Sequence, residues 1–182
     1  ESASAFTVSG WFNQTTLDQQ RFMWGTYIST TNMISCYTWS TGQMFFDVRN
    51  GASAYGSFDY SAVVTAGTWF HCTCVFDGTF TDGDPATQNA GRLKIYINGV
   101  LQTLTIPYTI PTSTNATQGD FRIGSLESYT QEWLGGIDEI AVFDYALTEP
   151  DVQEIYNATS TDKTADLSTL GTPPTAWYRM GD

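Results

Sequence analysis

Carboxylate side chains are the residues in this sequence that could do chemistry, and the adjacent pair Asp138 and Glu139 is the first to consider. Hydrolysis of a glycosidic bond needs two carboxyl groups that face one cleft, roughly 5 to 10 Å apart. Neighbouring residues of a strand point to opposite sides of a sheet, so these two are not expected to share a site. No Gly-x-Ser-x-Gly motif and no phosphate-binding glycine loop occurs either. The sequence therefore predicts a protein that is not an enzyme.

Three cysteines, Cys36, Cys72 and Cys74, raise the questions of disulfide and metal chemistry. Cys72 and Cys74 would point to one face of a strand, a geometry that opposes a mutual disulfide. One of them could pair with Cys36 across strands, or all three could be buried free thiols that act as small hydrophobic side chains, the alternative that we favour. The C-x-C spacing with a single histidine, His71, does not match a zinc site.

Acidic residues outnumber basic residues by 19 to 7, which gives a formal charge of -12. This charge repels phosphate backbones and anionic membrane surfaces, so a nucleic-acid partner is not expected. No apolar run approaches the length of a membrane span, so membrane insertion is not expected. The acidic residues are scattered, which is typical of a solvated surface, although some of them could bind a hard cation such as calcium.

Short apolar or alternating segments recur at a spacing of about ten residues, with turn residues between them, which is typical of an all-β sandwich or jelly roll. Aromatic residues make up 15% of the chain, and Thr, Ser and Gly are abundant, which favours strands and turns. The dipeptide Asn98-Gly99 predicts a type I′ hairpin turn, and residues 77–91 are predicted to be a loop. Ten strands are predicted, at 6–12, 22–28, 33–39, 44–48, 55–60, 69–76, 93–97, 101–105, 121–123 and 136–143.

The segment 133–156 runs without a break from a strand into a capped helical turn. From Ile140 onward its apolar side chains fall on both sides of the backbone, which indicates a strand that is covered on each face. Thr148 stands three residues before Asp151 in a capping-box arrangement, in which both side chains satisfy backbone donors of a new helix. The sequence therefore predicts one short helix near 149–156.

Four segments, taken in order, carry a family likeness, and the chain resembles the laminin-G-like, concanavalin-A-like jelly rolls, which also include the pentraxins. The likeness covers about 150 residues. It implies an antiparallel two-sheet jelly roll but no single activity, since this scaffold serves lectins, adhesion modules, virion proteins and glycosidases. Related glucanases carry E-x-D-x-E on one strand, and no such string occurs here. The four segments are F-T-V-S-G-W-F at 6–12, T-W-F-H-C-T-C-V-F-D-G at 68–78, L-K-I-Y-I-N-G-V-L at 93–101 and G-G-I-D-E-I-A-V-F-D-Y-A-L-T-E-P-D-V-Q-E-I-Y at 135–156.

A laminin-G-like jelly-roll domain is expected at 1–157, followed by an extended C-terminal segment at 158–182. Members of the family usually begin with a strand before the segment matched at 6–12, which here starts almost at residue 1. This would leave a sheet edge without its usual partner. The terminal A-W-Y-R-M-G-D resembles the opening strand of many members. Residues 176–180 could therefore close that edge or add to a neighbouring subunit, the alternative being a frayed tail.

Calcium is the cofactor that the resemblance implies. In several concanavalin-A-like proteins, an aspartate at the start of a late strand joins backbone carbonyls to hold calcium, and Asp138 matches that position. The loop before this strand contains Glu127, Gln131 and Glu132, much as the pentraxin calcium ligands precede theirs. The predicted metal ligands are therefore Asp138, Glu127 and Gln131. The alternative is that Asp138 caps a turn and that the glutamates are solvated.

Sugar recognition requires flat aromatic faces on a shallow exposed surface, together with a few polar groups that fix orientation. Trp39, Tyr129 and Trp133 lie beside turn-like segments, where exposure is favoured over that of Trp11 or Trp69 within strands. These three residues are the predicted glycan-binding side chains. The alternative is that they pack in the core or at its rim.

Together these features predict a non-enzymatic adhesion or structural module of a virion surface or extracellular assembly, which attaches to neighbouring subunits or to surface glycans. A bacteriophage particle is favoured by the terminal W-Y-R-M-G-D, the free-looking cysteines and the absence of an export signal. The alternative from another class is a carbohydrate-binding module of a secreted glycan-degrading enzyme.

Overall fold

Two antiparallel sheets stack face to face in the computed structural model, which describes residues 1–159 and 166–180. This arrangement confirms the predicted all-β jelly-roll sandwich, and each predicted strand has a counterpart. The helices are α1 (Pro85–Arg92) and α2 (Glu149–Thr159), with short 3-10 turns at Tyr60–Ala62 and Leu167–Thr169. The strands are β1 (Ala5–Gln14), β2 (Arg21–Ser29), β3 (Asn32–Thr38), β4 (Gln43–Asn50), β5 (Tyr55–Asp59), β6 (Trp69–Asp77), β7 (Leu93–Ile97), β8 (Val100–Leu101), β9 (Arg122–Ile123), β10 (Gly135–Phe143) and β11 (Ala176–Tyr178).

The six-stranded sheet has the order β11-β10-β1-β6-β7-β8, and the five-stranded sheet has the order β5-β4-β3-β2-β9. Strand β1 pairs with β10 on one side and with β6 on the other, so the segment 6–12 is central in its sheet. The sheet edge near this segment is formed by β10 instead. Strand β11 pairs antiparallel with β10, with Tyr178 opposite Ile140, and thereby covers that edge.

The two sides of β10 are buried in different places, as its apolar pattern predicts. Ile140 belongs to the main core between the sheets, whereas Ala141 and Phe143 lie on the outer face beneath α2. Val152 and Ile155 of α2 complete this second cluster. The outer face of the six-stranded sheet is therefore covered by the chain's own helix.

Helix α2 begins with the predicted capping box. The carboxylate of Asp151 accepts hydrogen bonds from the backbone N–H of Thr148 at 2.8 Å and from its hydroxyl at 2.6 Å. The helix runs from Glu149 to Thr159, three residues beyond the predicted end. Neither helix of the described part of the chain has the length and apolar character needed to cross a membrane.

Residues 77–91, predicted to be a loop, contain most of helix α1, so that prediction is wrong for its second half. The side chain of Asp84 caps the helix by accepting a hydrogen bond from the N–H of Thr87 at 2.8 Å, and Pro85 occupies the first turn. Asn89 and Gly91 have low helix propensity, which concealed the helix in the sequence. Burial of its last residue, Arg92, stabilises the helix against the sandwich.

A bulge interrupts the pairing of β1 with β10 and changes where two carboxylates point. Ser9 pairs with Ala141 and Trp11 pairs with Asp138, so two residues of β10 stand opposite one of β1. Glu139 lies in this bulge with φ of +52°. Its carboxylate accepts a hydrogen bond from the ring N–H of Trp177 on the outer face of the sheet. Asp138 lies on the same face, because its partner Trp11 projects there. The expectation that Asp138 and Glu139 point to opposite sides is therefore wrong, because the bulge breaks strand alternation.

Candidate functional site

Aromatic side chains line the outer face of the five-stranded sheet, on the side away from the main core. Trp39, Phe45, Tyr55 and Tyr108 follow one another across this face, and we call these four residues the aromatic platform. The distances between successive ring centroids are 6.4, 5.4 and 5.2 Å, and each pair meets at an interplanar angle of 65° to 69°. The platform forms a continuous aromatic surface from the end of β3 to beyond β5.

Strand register places the first three rings of the platform side by side. Phe45 and Asp47 lie on the same side of β4, and the partner of Asp47 on β5 is Tyr55. Since residues paired across antiparallel strands share a face, Phe45 and Tyr55 project to the same side. Gly42, with φ of +77°, closes the turn before β4 and donates its N–H to the Trp39 carbonyl at 3.0 Å. This turn holds Trp39 beside Phe45.

Tyr108 reaches the platform from the segment between β8 and β9. A pair of backbone hydrogen bonds between Thr105 and Ser57, of 2.8 and 3.0 Å, fastens this segment to β5. Asn89 of α1 donates to the Tyr108 carbonyl at 3.3 Å and accepts from the N–H of Ile110 at 2.9 Å. Helix α1, which was not predicted from the sequence, therefore helps to position one end of the platform.

Exposure is greatest at the two ends of the platform. The exposed fractions of Trp39 and Tyr108 are 40% and 44%, whereas Phe45 and Tyr55 between them are partly buried. Tyr37, the partner of Phe45 on β3, is buried and stacks on Phe45 with a centroid distance of 5.1 Å and an interplanar angle of 6°. A sugar could therefore contact the exposed faces of the end rings and the exposed edges of the central rings.

A buried ion pair lies under the same face. Asp47 is fully buried, and its Oδ1 accepts hydrogen bonds from Nε of Arg49 and contacts Nη2 of Arg49, both at 3.0 Å. Arg49 also donates from Nη1 to the Thr30 carbonyl at 2.8 Å. Burial raises the pKa of Asp47 to about 6, because the loss of hydration outweighs the attraction of Arg49. Arg49 is therefore bound to Asp47 and to a backbone carbonyl, and neither side chain presents an unpaired charge at the platform.

The predicted glycan-binding residues divide between two places. Trp39 belongs to the platform, and Tyr129 lies on the same sheet face, 4.9 Å from the ring centroid of Phe22. Trp133 instead packs edge to face on Phe12 at 5.5 Å and donates its ring N–H to a backbone carbonyl of the same turn. Trp133 therefore packs at the edge of the main core and does not join the other two.

Three of the four platform residues, Phe45, Tyr55 and Tyr108, were not among the predicted glycan-binding residues. The alternation in β4, with Phe45, Asp47 and Arg49 on one face, is a signal that the sequence does contain. The register of β4 with β5, and the path of the chain that brings Tyr108 alongside, are set by tertiary packing and leave no local signal.

The predicted metal ligands have other partners in the structure. Oδ1 of Asp138 accepts the backbone N–H groups of Glu139 at 2.9 Å and Met180 at 3.2 Å. Glu127 lies 3.6 Å from Arg122, and Oε1 of Gln131 accepts the N–H of Thr130. Among residues 1–159 and 166–180, the one group of three or more His, Cys, Asp or Glu ligand atoms within 4.8 Å of one another consists of the cysteines. A calcium site at Asp138 would therefore need backbone carbonyl and water oxygens to complete its six to eight ligands.

Calcium binding at Asp138 stays a prediction that thermal unfolding tests directly. If calcium stabilises the fold, adding a chelator to protein purified with calcium will lower the Tm, and Asp138→Asn will remove that difference. The matched control is Asp144→Asn, which removes a carboxylate after the end of the same strand. Equal Tm values with calcium and with chelator would contradict the prediction.

A serine and a histidine lie in contact on the covered face, but the pair is sealed from solvent. Oγ of Ser9 is 2.9 Å from Nε2 of His71, and both residues are about 1% exposed. Burial lowers the pKa of His71 to about 3, so the imidazole is neutral. The His71 ring packs against Trp11 and Tyr156 at centroid distances of 5.3 and 5.8 Å. This contact serves packing, since a substrate has no path to it.

The two-sheet architecture with one aromatic outer face defines a lectin-type jelly roll. The chain belongs to the concanavalin A-like lectin/glucanases superfamily, whose family model matches residues 1–153. A comparison with curated protein sequences gives no match.

Solved structures of three kinds are similar in fold. A heptameric SAP-like pentraxin from Limulus polyphemus is 19% identical, with a TM-score of 0.60, over 85% of this chain and 70% of its own. The CBM40 domain of the Ruminococcus gnavus IT-sialidase is 12% identical, with a TM-score of 0.64, over 84% of this chain and 82% of its own. The NanB sialidase from Streptococcus pneumoniae is 17% identical, with a TM-score of 0.66, over 84% of this chain. The match covers 24% of the NanB chain, so this chain corresponds to a fraction of that enzyme.

Proposed function

We propose that this chain is a non-enzymatic glycan-binding module and that its ligand lies on the aromatic platform. The observation that carries the proposal is the contrast between the two outer faces of the sandwich. The face of the six-stranded sheet is covered by α2. The face of the five-stranded sheet is covered by Leu126 and Tyr129 over β2 and β3 but presents four adjacent aromatic rings beyond them. The fold relationship to a carbohydrate-binding module supports the same function.

The chemistry of the platform favours a glycan over a drug-like or peptide ligand. Aromatic rings contact the C–H faces of sugars, and a surface this shallow can bind several sugar units in a row. Gln43 and Asp59 pair across β4 and β5 next to Phe45, so polar groups border the rings on the same face. These groups could fix the orientation of a sugar through its hydroxyls.

The charge distribution favours a neutral glycan over an acidic one. The chain carries a formal charge of -12, which repels carboxylated and sulfated sugars. Arg49, on the same side of β4 as Phe45, is held by Asp47 and by a backbone carbonyl. Binding of an acidic sugar to Arg49 would have to break this ion pair, whereas a neutral sugar leaves it intact.

Binding to a glycan array, followed by isothermal titration with the best ligands, tests the proposal. We expect binding to neutral oligosaccharides, with affinity that rises with chain length until the platform is filled. Matched pairs of glycans with and without a terminal acidic sugar provide the control for charge. Failure to bind any glycan, with correctly folded protein, would contradict the proposal.

A structural role in a virion or extracellular assembly is the second candidate, and the short edge strand favours it. Strand β11 has three residues and covers the edge of β10, an edge that the matching strand of another subunit could cover instead. Light scattering of the same samples separates the candidates, because exchange of this strand would give dimers or larger species. A monomer that binds glycans would support the binding module alone.

A further inference from the structure

A cavity of about 180 Å³ lies between the two sheets, at the margin of the main core. Its walls come from both layers. Phe6, Val8 and Val142 contribute from the six-stranded sheet, and Trp24 and Ile34 contribute from the five-stranded sheet. Val8 and Trp24 are buried members of the core, whereas the other three pack against it and are only partly buried. The two layers therefore do not close on each other here, and we call this space the interlayer cavity.

The rim of the interlayer cavity is formed by the end of the segment between β8 and β9, and it is fixed in place. The backbone N–H of Thr114 donates to the Ala3 carbonyl at 2.8 Å, and Oγ1 of Thr114 accepts the N–H of Ala3 at 2.9 Å. Gly119 lies so close to β2 that a Cβ atom on it would come within 2.3 Å of the Tyr27 carbonyl oxygen. The cavity is therefore preformed, and a ligand does not have to order a loop in order to bind.

The polar groups around the cavity already bond to one another. Oγ1 of Thr26 donates to Oε1 of Gln118 at 2.9 Å, and Nε2 of Gln118 donates to the backbone carbonyl of Asn115. Oγ1 of Thr114 donates to the same carbonyl at 3.4 Å. Among the described residues that line the cavity, Glu1 has the only charged side chain. The site therefore offers apolar contact to a ligand and repels an anion.

Apolar walls of this kind favour an apolar occupant over water. A bound water molecule needs two to four polar partners, and replacing poorly ordered water with an apolar group favours binding. An apolar cavity of about 150 Å³ is large enough to bind benzene. The volume of the interlayer cavity therefore corresponds to one six-membered ring with a small substituent.

The aromatic side chains of the cavity favour a planar ligand over an alkyl one. Trp24 and Phe121 stack with a centroid distance of 6.1 Å and an interplanar angle of 30°, and Phe121 is 37% exposed. Phe6 adds a third ring from the opposite sheet. Aromatic rings in offset or edge-to-face contact attract each other beyond the effect of the area that they bury. A flat ring between these side chains gains that attraction, and a saturated ring of the same size does not.

We propose that the interlayer cavity binds an uncharged aromatic molecule with one ring. Burial between the two layers provides the affinity, and the Glu1 carboxylate, together with the formal charge of -12, excludes an anionic analogue. This inference does not depend on glycan binding, because the cavity lies between the sheets and the platform lies on an outer face.

Titration with toluene, followed by two-dimensional amide NMR, tests the proposal. We expect saturable shifts at residues 24–26, 34 and 142, with a Kd between about 0.1 and 1 mM, the range that ligands of so few atoms reach. Toluene should also raise the Tm. Benzoate carries a carboxylate in place of the methyl group and should bind at least tenfold more weakly. Methylcyclohexane, which has the same number of carbon atoms but no flat ring, should bind severalfold more weakly.

Variants that fill the cavity separate this site from binding elsewhere on the protein. Val142→Phe and Ile34→Phe enlarge side chains on opposite walls, and each should weaken toluene binding at least tenfold. Ile137→Phe is the matched control, since Ile137 is also a partly buried side chain that packs against the main core, but it does not line the cavity. This variant should retain the affinity of the wild type for toluene.

Several outcomes would overturn the inference. These are the absence of saturable shifts up to the solubility limit of toluene, equal affinity for toluene and benzoate or methylcyclohexane, and toluene binding that survives both filling variants. Shifts of the same amides that depend on protein concentration without toluene would show that a second copy of the chain occupies the cavity. If one filling variant does not fold, the other variant and the three-ligand comparison still decide the question.

Discussion

Replacing Trp39 and Tyr108 together with alanine is expected to weaken glycan binding by about a hundredfold, since each ring that stacks on a sugar contributes about 1.4 kcal/mol. These two rings stand at opposite ends of the platform and are its most exposed members. Each single variant should therefore lose about tenfold, and the two effects should add because the rings do not touch. Isothermal titration against the best neutral oligosaccharide measures all three values.

The chain offers closely matched controls for this experiment. Trp69 and Tyr178 are 45% and 46% exposed, close to the values for Trp39 and Tyr108, but both belong to the six-stranded sheet. Trp69→Ala and Tyr178→Ala should therefore leave the affinity unchanged. Equal losses of affinity in the control and platform variants would show that the binding site is not on the platform.

Protonation of Asp47 is expected to stabilise the folded protein as the pH falls from about 6 to about 4. Burial raises the pKa of Asp47 from 3.8 to about 6, so the folded state binds a proton that the unfolded chain releases. The stabilisation is complete below the unfolded pKa and is lost as the pH rises through the folded pKa. A shift of about 2 pKa units corresponds to roughly 3 kcal/mol in the free energy of unfolding.

Chemical unfolding of the wild-type protein and of Asp47→Asn, between pH 4 and pH 7, measures this contribution. Other carboxylates titrate in the same range, so the informative quantity is the difference between the two unfolding free energies. We expect the unfolding free energy of the wild type to fall relative to that of Asp47→Asn as the pH rises, and the difference to become constant above pH 6. Parallel profiles would show that Asp47 does not titrate in this window.

The strands and the family likeness could be predicted because they depend on local patterns. Apolar alternation marked the strands, and Asn98-Gly99 forms the predicted turn with φ of +51° and +77°. The pair Thr148 and Asp151 marked the start of α2. Each of these features involves side chains within a few residues of one another, so no knowledge of tertiary packing was needed.

The aromatic platform and the approach of all three thiols to one another could not be predicted, because they depend on which distant strands meet. Cys36 reaches Cys72 only because the two sheets stack with β3 over β6, and nothing near Cys36 indicates that alignment. The Asp84-Pro85 pair did signal helix α1, but the helix propensity of the residues after it is low. The bulge at Glu139 likewise follows from pairing with β1 and not from its own neighbours.

The attachment of β11 determines which part of the sandwich opens first. This strand has three residues, and its outer side chains are secured by the Trp177 ring N–H, which donates to Glu139 at 2.6 Å, and by Arg179, which lies over that ring at 5.0 Å. So short a peripheral strand gains little cooperativity, so its amide hydrogens should exchange with solvent well before those of β1 or β6. Each such opening exposes a row of unpaired N–H and C=O groups on β10. Aggregation of concentrated solutions should therefore begin at this edge, while the core remains folded.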